Sequence, residues 1–466
     1  MKIAILGFGR EGKSLLKFLR RRRLTRIDTQ INADKKTEIW ILDKNPNLTK
    51  NLNLTTSQVV RFQTGKNYLK NLDKFDIVFR SPGVPYNLPE IQKAVKAGVK
   101  FSSATKLFFD EAEKNGCKVI GITGTKGKGT TSTLLYKILK ACDKPVYLAG
   151  NIGKPAIELL PKISVNQRKN QHKSAPLIIL ELSSFQLQDS KKSPDIAVVL
   201  DVFPDHLDSH KNIQEYFDAK TNIARWQKKT DKIFYFSDNH WSKWIASKSR
   251  AKKIAVNSRH SHTFADLHYG LKMPGQHNFK NAVMAATVAL SLGCSKEKIL
   301  KVIKKFRGNE HRLELVRVIR INQSYPYKSV LIKFYNDSAS TNPQTAAAAI
   351  RAFKEPKILI SGGKDKNLNY SPLSQALKNS NTKLVILFGE NKNKIKRQIA
   401  NSKAQIVLVK DLKIAVNLAY KTAKSLVASG YSLLAIVFSP ASASFDMFKD
   451  YADRGKKFKE LVKKLK

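Results

Sequence analysis

Short apolar runs alternate with glycine turns and helical periodicities along the whole chain. Residues 2–6 (Lys-Ile-Ala-Ile-Leu) form such a run, Gly7-Phe-Gly9-Arg-Glu-Gly12 follows, and Ser14-Leu-Leu-Lys-Phe-Leu19 has helical spacing. A second run over 39–43 ends in an acid, and a third over 75–79 enters Ser81-Pro82-Gly83. The order strand, helix, strand, strand predicts a nucleotide-binding half-sheet.

The pattern restarts at Lys118-Val-Ile-Gly-Ile-Thr123, which leads into Gly124-Thr-Lys-Gly-Lys-Gly-Thr-Thr131 and a helix over 132–141. Apolar strands at 177–181 and 196–201 alternate with helical segments at 217–227 and 282–292, and polar residues 165–174 read as an inserted surface loop. From about residue 308 a third series begins, with runs at 330–332, 357–363, 383–389, 405–409 and 433–439, then a basic amphipathic helix over 448–466. Continuous apolar strands between helices predict parallel sheets covered on both faces. The fold class expected is α/β in three domains: a Rossmann-like N-terminal half-sheet (1–112), a central P-loop ATPase-like α/β domain (113–307) and a C-terminal Rossmann-like α/β domain (308–466). A length of 466 residues agrees with about three domains.

Composition changes the picture in one respect. Eighty-five Lys plus Arg against 36 Asp plus Glu leave a formal charge of +49. Such a surplus can serve a nucleic acid or an anionic membrane, but the basic residues are scattered, with local runs only at 20–23 and 456–466. No RNA-recognition, zinc-finger or helix-turn-helix pattern accompanies them, which favours a lysine-rich surface. Cys117, Cys142 and Cys294 lack C-x-x-C spacing, so neither a disulfide framework nor a cysteine zinc site is expected. With no signal-peptide pattern and no apolar stretch of roughly 18 residues, the expectation is a cytoplasmic protein without a transmembrane segment.

Phosphate recognition needs glycines that admit phosphate oxygens to backbone N–H groups, a lysine for their charge and a hydroxyl for Mg²⁺. Gly124, Gly127 and Lys128 meet the first two demands; Gly129 stands where a Ser or Thr usually follows the lysine, and Thr130 is the nearest downstream hydroxyl. Glu181 at a strand end offers a hard oxygen ligand for Mg²⁺, or caps a neighbouring helix. In the first block the open glycine turn suits a pyrophosphate and Asp43 a ribose hydroxyl; the alternative is a tight turn without ligand.

Ile122-Thr-Gly-Thr-Lys-Gly-Lys-Gly-Thr-Thr131 resembles the ATP-dependent Mur ligases and their relative folylpolyglutamate synthase. Further motifs follow in the order expected of the branch that joins D-glutamate to UDP-N-acetylmuramoyl-L-alanine. They are Gly150-Asn151-Ile-Gly153, Glu181-Leu-Ser-Ser-Phe-Gln186, Asp205-His206-Leu-Asp208, Ala219-Lys220, His277-Asn278 with Asn281, His311-Arg312, Asn336-Asp337-Ser338 with Thr341-Asn342, and Ser439-Pro-Ala-Ser-Ala-Ser444.

The resemblance implies ATP and Mg²⁺ as cofactors, with ATP phosphorylating the alanyl carboxylate before the amine of D-glutamate attacks. It implies Lys128, Glu181, His206 and Lys220 as catalytic residues, with Thr130, Glu181, His206 and a carbamylated Lys220 as metal ligands. ATP would meet Gly124, Thr125, Lys126, Gly127, Lys128, Gly129, Thr130, Asn281, Arg312 and Asp337. The UDP-sugar would meet Gly9, Gly12, Asp43, Lys44, Ser81, Gly83 and Asn151, and D-glutamate would meet Thr341, Lys366, Ser444, Phe445 and Tyr451. A monomer is expected. The sequence departs from the family pattern at Lys126, Gly129 and Ala339, where Asn, Ser or Thr, and Lys are commoner, and in the insertion at 165–174. Folylpolyglutamate synthase lacks the first half-sheet, a nicotinamide dehydrogenase ignores the second phosphate loop, and a basic nucleic-acid- or membrane-binding protein would show no D-glutamate-dependent ATP turnover.

Overall fold

A computed structural model of the chain describes residues 1–21, 37–48, 60–151, 154–161, 163, 176–204, 212–257, 271–321 and 330–465. His206 with its flanking Asp205 and Asp208, Gly153 and the insertion at 165–174 lie outside the described residues. Three α/β sheets fall in the three expected blocks. The first runs Val60–Thr64, Glu38–Asp43, Lys2–Leu6, Ile77–Arg80, Lys100–Ser102, all parallel. The second, also parallel, runs Lys252–Val256, Lys232–Phe236, Ile196–Val199, Lys118–Thr123, Leu177–Glu181, Val146–Gly150. The third runs Glu314–Ile321, Val330–Asn336, Leu433–Phe438, Lys357–Gly362, Thr382–Phe388, Gln405–Leu408, and its first strand is antiparallel.

By packing, the chain forms two compact units: 1–265 with 281–299, and 266–280 with 300–466. The first two sheets share the first unit, where one apolar cluster holds Ile3 and Ile5 of the first sheet together with Val119, Ile178 and Val199 of the second. Helix Ala104–Lys114 contributes Leu107 and Phe108 to that cluster. In the second unit, Ile332, Ile360, Ile386 and Ile436 of the third sheet pack with Val416 and Ala419 of helix Leu412–Ala428.

Val60–Thr64, Val146–Gly150, Lys252–Val256 and Glu314–Ile321 are strands that the apolar runs do not single out, and all four are sheet edges. An edge strand exposes part of each face and needs no continuous apolar run. Interior strand Lys232–Phe236 is also missing from that pattern. The helix expected over 217–227 runs instead over Ile213–Thr221, capped by the Asn212 side chain, which accepts from Glu215 N. Its apolar periodicity continues through buried Ile223 and Ala224 in hydrogen-bonded turns, so the pattern outlasts the α-helix. The terminal helix is Tyr451–Lys463, and it buries Arg454, Gly455, Phe458 and Val462. No described helix is long and apolar enough to cross a membrane.

Two buried carboxylates show opposite electrostatics. Asp189 accepts from Arg80 Nη2 (2.8 Å) and Lys106 Nζ (2.7 Å), and Arg80 also donates to the carbonyls of Val84 and Phe185. Burial opposes the charge on Asp189, but the two cations outweigh it and hold the carboxyl below its ordinary range. Asp337 follows strand Val330–Asn336 and accepts from Leu313 N (3.1 Å) and Ser439 Oγ (2.8 Å). Burial pushes it up to about 7, more than these hydrogen bonds lower it.

Asp189→Ala is expected to strand the buried Arg80 cation and destabilise the first unit by about 3–5 kcal/mol in urea unfolding. The stability contributed by Asp189 is present above its unfolded pKa of about 3.9 and is lost as pH falls further. For Asp337 the sign reverses: its contribution is full below about 3.9 and declines as pH rises towards about 7. The Asp337→Asn variant is therefore expected to lose less stability than wild type between pH 5 and 8; equal losses would contradict the burial argument.

Candidate active site

Strand Lys118–Thr123 delivers the phosphate loop to the carboxyl edge of the second sheet, and helix Lys128–Ala141 begins within the loop. Gly127, which precedes that helix, has φ +86°, and a Cβ there would collide with the Asn281 side chain. Glycine is thus required both by the turn and by Asn281, which is buried against it. Thr125 N donates to Asp201 O at 2.9 Å. The Thr125 hydroxyl donates to Phe203 O (2.9 Å), accepts from Phe203 N (2.9 Å) and meets the Tyr216 hydroxyl at 2.7 Å.

Two ammonium groups converge on this loop. Lys128 Nζ donates to the carbonyls of Gly124 (2.9 Å) and Thr125 (3.1 Å), while Lys220 Nζ donates to the same Gly124 carbonyl at 3.2 Å. Lys220 is 2 % exposed and its ammonium stands 4.7 Å from the Tyr216 ring centroid. Tyr216 and Lys220 are four residues apart on helix Ile213–Thr221, so one helical face carries both. Positive charge beside backbone donors at a helix start favours a polyphosphate.

Glu181 ends a fully buried strand directly beside Lys118–Thr123, with Ile122 paired to it. Asn151 Nδ2 donates to Glu181 Oε1 (3.2 Å), and Asn151 N to Glu181 O (3.1 Å). Two motifs separated in sequence therefore meet at one carboxylate. Lys126 is exposed, whereas Gly129 and Thr130 lie half-buried in the first helical turn. The Thr131 and Ser132 hydroxyls are buried with no hydrogen-bond partner among the described residues.

At the first sheet, Asp43 spends its carboxylate on the glycine turn: Oδ2 accepts from Phe8 N (2.7 Å) and Oδ1 from Asn45 N (2.8 Å). Ser81 Oγ donates to Gly7 O at 2.6 Å. Both residues hold the turn together. A Cβ on Gly12 would strike Gly7 O, whereas Gly9 and Gly83 face open space and Lys44 is exposed.

In the second unit, Arg312 is exposed on a tight turn between His311 (φ +63°) and Leu313 (φ +44°). Three anchors hold this left-handed backbone: Asp337 accepts from Leu313 N, His311 O accepts from Ala339 N (3.0 Å), and Asn336 Nδ2 donates to His311 Nδ1 (2.9 Å). Burial lowers the His311 pKa, in agreement with a neutral ring that accepts at Nδ1. Asp337 thus fixes the turn that presents Arg312. Asn278, three residues before Asn281, donates from its side chain to Pro274 O (2.7 Å) and closes its own turn.

The loop carrying Lys366 and the loop ending at Ser444 are joined: Lys364 N donates to Ala443 O (3.0 Å), and Asn391 accepts from Gly363 N while donating to Ser442 Oγ (2.7 Å) and the Tyr370 hydroxyl (2.7 Å). Ser444 is buried, Thr341 half-buried, and Lys366, Phe445 and Tyr451 are exposed. Ser338 Oγ donates to Tyr451 O at 2.8 Å and ties the start of the terminal helix to the Asp337–Thr341 loop. Tyr216, Asn391, Tyr370 and Arg454 are residues of these networks that the sequence motifs do not mark. Only Tyr216 leaves a signal, its spacing of four from Lys220.

Comparison with known proteins gives the family. Residues 1–103 match the family described as Mur ligase MurD-like, N-terminal domain, and residues 122–289 match the Mur ligase middle domain. UDP-N-acetylmuramoylalanine--D-glutamate ligase of Acetivibrio thermocellus is 33% identical over 99% of this chain and 96% of its own length. Its namesake in Ruminiclostridium cellulolyticum is 33% identical over 100% and 97%. Among solved structures, UDP-N-acetylmuramate-alanine ligase MurC of Thermotoga maritima shares the fold at TM-score 0.52 and 15% identity, covering 99% of both chains. Folylpolyglutamate synthase of Mycobacterium tuberculosis gives TM-score 0.52 and 12% identity over 76% of this chain and 94% of its own. With relatives at this identity over nearly its whole length, the chain belongs to the Mur ligase family.

Proposed function

We propose that the chain is an ATP-dependent amide ligase that adds D-glutamate to UDP-N-acetylmuramoyl-L-alanine in peptidoglycan precursor synthesis. The observation that carries this reading is the convergence of Lys128 and Lys220 on the Gly124 carbonyl, with Glu181 on the adjoining strand. The name borne by relatives aligned over the full chain supports the substrates. In this reaction the alanyl carboxylate takes the γ-phosphoryl group of ATP, releasing ADP. The D-glutamate amine then adds to the acyl carbon, and the tetrahedral intermediate collapses to amide, phosphate and a proton. Residues 1–112 would hold the UDP-sugar, 113–307 ATP and 308–466 D-glutamate, in a cytoplasmic monomer.

Phosphoryl transfer depends on positioning and on neutralising charge as it shifts between oxygens. Lys128 supplies charge at the loop and Asn281 borders it; in the second unit the turn that Asp337 fixes presents Arg312, whose planar fork suits a phosphate. Magnesium binds through few carboxylates and retains several waters. The described oxygen donors, Glu181 with its Asn151-fixed carboxylate and Thr130, fit that sparse demand, and Lys220 would add a carboxylate on capturing CO₂ as a carbamate. When bound, Mg²⁺ supplies neutralisation of the transferring phosphoryl oxygens. Gly9 and Gly83 leave room at the first sheet for the UDP-sugar, while Thr341, Lys366 and Ser444 offer donors and Phe445 and Tyr451 apolar walls for D-glutamate.

Phosphate release is expected to require ATP, UDP-N-acetylmuramoyl-L-alanine and D-glutamate together, with L-glutamate giving little turnover; equal rates for the two enantiomers overturn the reading. Replacement of Lys220 by Ala is expected to lower kcat about a hundredfold or more, with partial recovery on adding a short carboxylate. Full activity without recovery removes the carbamate role.

A further inference from the structure

Arg454 is fully buried, and its guanidinium contacts only neutral oxygens. Nε donates to Ser338 Oγ (3.1 Å), Nη1 to Ala443 O (2.9 Å), and Nη2 to Ser338 O (2.9 Å) and Ser442 O (3.0 Å). Among the described residues it forms no ion pair. Arg80, the other large buried arginine, meets a carboxylate directly, in contrast. No carboxylate is in contact with it, and Asp446 acts on it only from beyond ion-pair distance; burying a cation so weakly compensated is costly, and neutral side chains or water could cap two loops at less cost. Burial pulls the guanidinium down to about 10, so it remains charged at neutral pH.

The four contacts fall on two segments that carry proposed D-glutamate contacts. One is Ser338, three residues before Thr341; the other is Ser442-Ala443, directly before Ser444. Through the Ser338 hydroxyl the network reaches Tyr451 O as well. The Ala443 carbonyl also accepts from Lys364 N, which brings in the loop of Lys366. Gly363 has φ +152°, and a Cβ there would collide with Ala443 O and approach Arg454 Nη1 to 3.0 Å, so the glycine lets the guanidinium close over both loops.

We propose that Arg454 is the positioning residue of the amino-acid pocket: its guanidinium sets the relative placement of Thr341, Ser444 and Tyr451, and its charge, offset only at a distance by Asp446, favours an incoming dicarboxylate over a neutral amino acid. The inference rests on the assignment of D-glutamate to this pocket. It assigns selectivity to a side chain that touches no substrate, acting through backbone carbonyls and through field.

The test is steady-state kinetics of wild type, Arg454→Lys and Arg454→Met on the full chain, with KM measured separately for D-glutamate, ATP and the UDP-sugar. Arg454→Lys keeps the charge but loses the fork, and is expected to raise KM for D-glutamate about tenfold with the other two KM values within about twofold. The methionine variant, where it folds, is expected to raise it further. Unchanged D-glutamate KM in Arg454→Lys, or an equal rise in all three KM values, overturns the role of Arg454. A wild-type enzyme with no D-glutamate turnover overturns the functional assignment itself.

Discussion

The shared carbonyl of Gly124 is the constraint around which the first unit is arranged. Two lysines far apart in the chain donate to it, one from the loop's own helix and one from helix Ile213–Thr221. Tyr216 lies beneath Lys220 and itself meets the Thr125 hydroxyl, so the helix that carries Lys220 is fixed to the loop. The loop backbone is tied to the next strand segment through Asp201.

The second unit solves a different problem, the placement of loops. Its buried ionisable groups, Asp337 and Arg454, act on backbone: Asp337 on the left-handed turn beside Arg312, Arg454 on the segments before Thr341 and Ser444. Neither has a counter-ion in contact among the described residues, unlike Asp189 with Arg80 and Lys106 in the first unit. Paired burial there joins two sheets into one body, while here the buried groups hold loop backbone.

The phosphate loop, Glu181 and the three sheets were legible in the sequence because each rests on a local pattern: glycines at fixed spacing, or a continuous apolar run. Edge strands such as Lys252–Val256 were not, since partial exposure erases that run. Asp43 is read as a ribose acceptor from its strand-end position; that its carboxylate also closes the glycine turn is a use set by the approach of Phe8 N in space. Arg454 was invisible for the same reason: within a basic helix it looks like one more surface cation. The +49 charge was equally ambiguous, and the site uses only a few of its cations.

In the proposed reaction, charge gathered at Gly124 serves transfer of a phosphoryl group to a substrate carboxylate. The most direct measurement places ¹⁸O in the alanyl carboxylate of UDP-N-acetylmuramoyl-L-alanine and follows the phosphate released on reaction with ATP and D-glutamate. One ¹⁸O atom is expected in each phosphate formed from doubly labelled carboxylate. Phosphate free of ¹⁸O, with the amide formed at the normal rate, would contradict it.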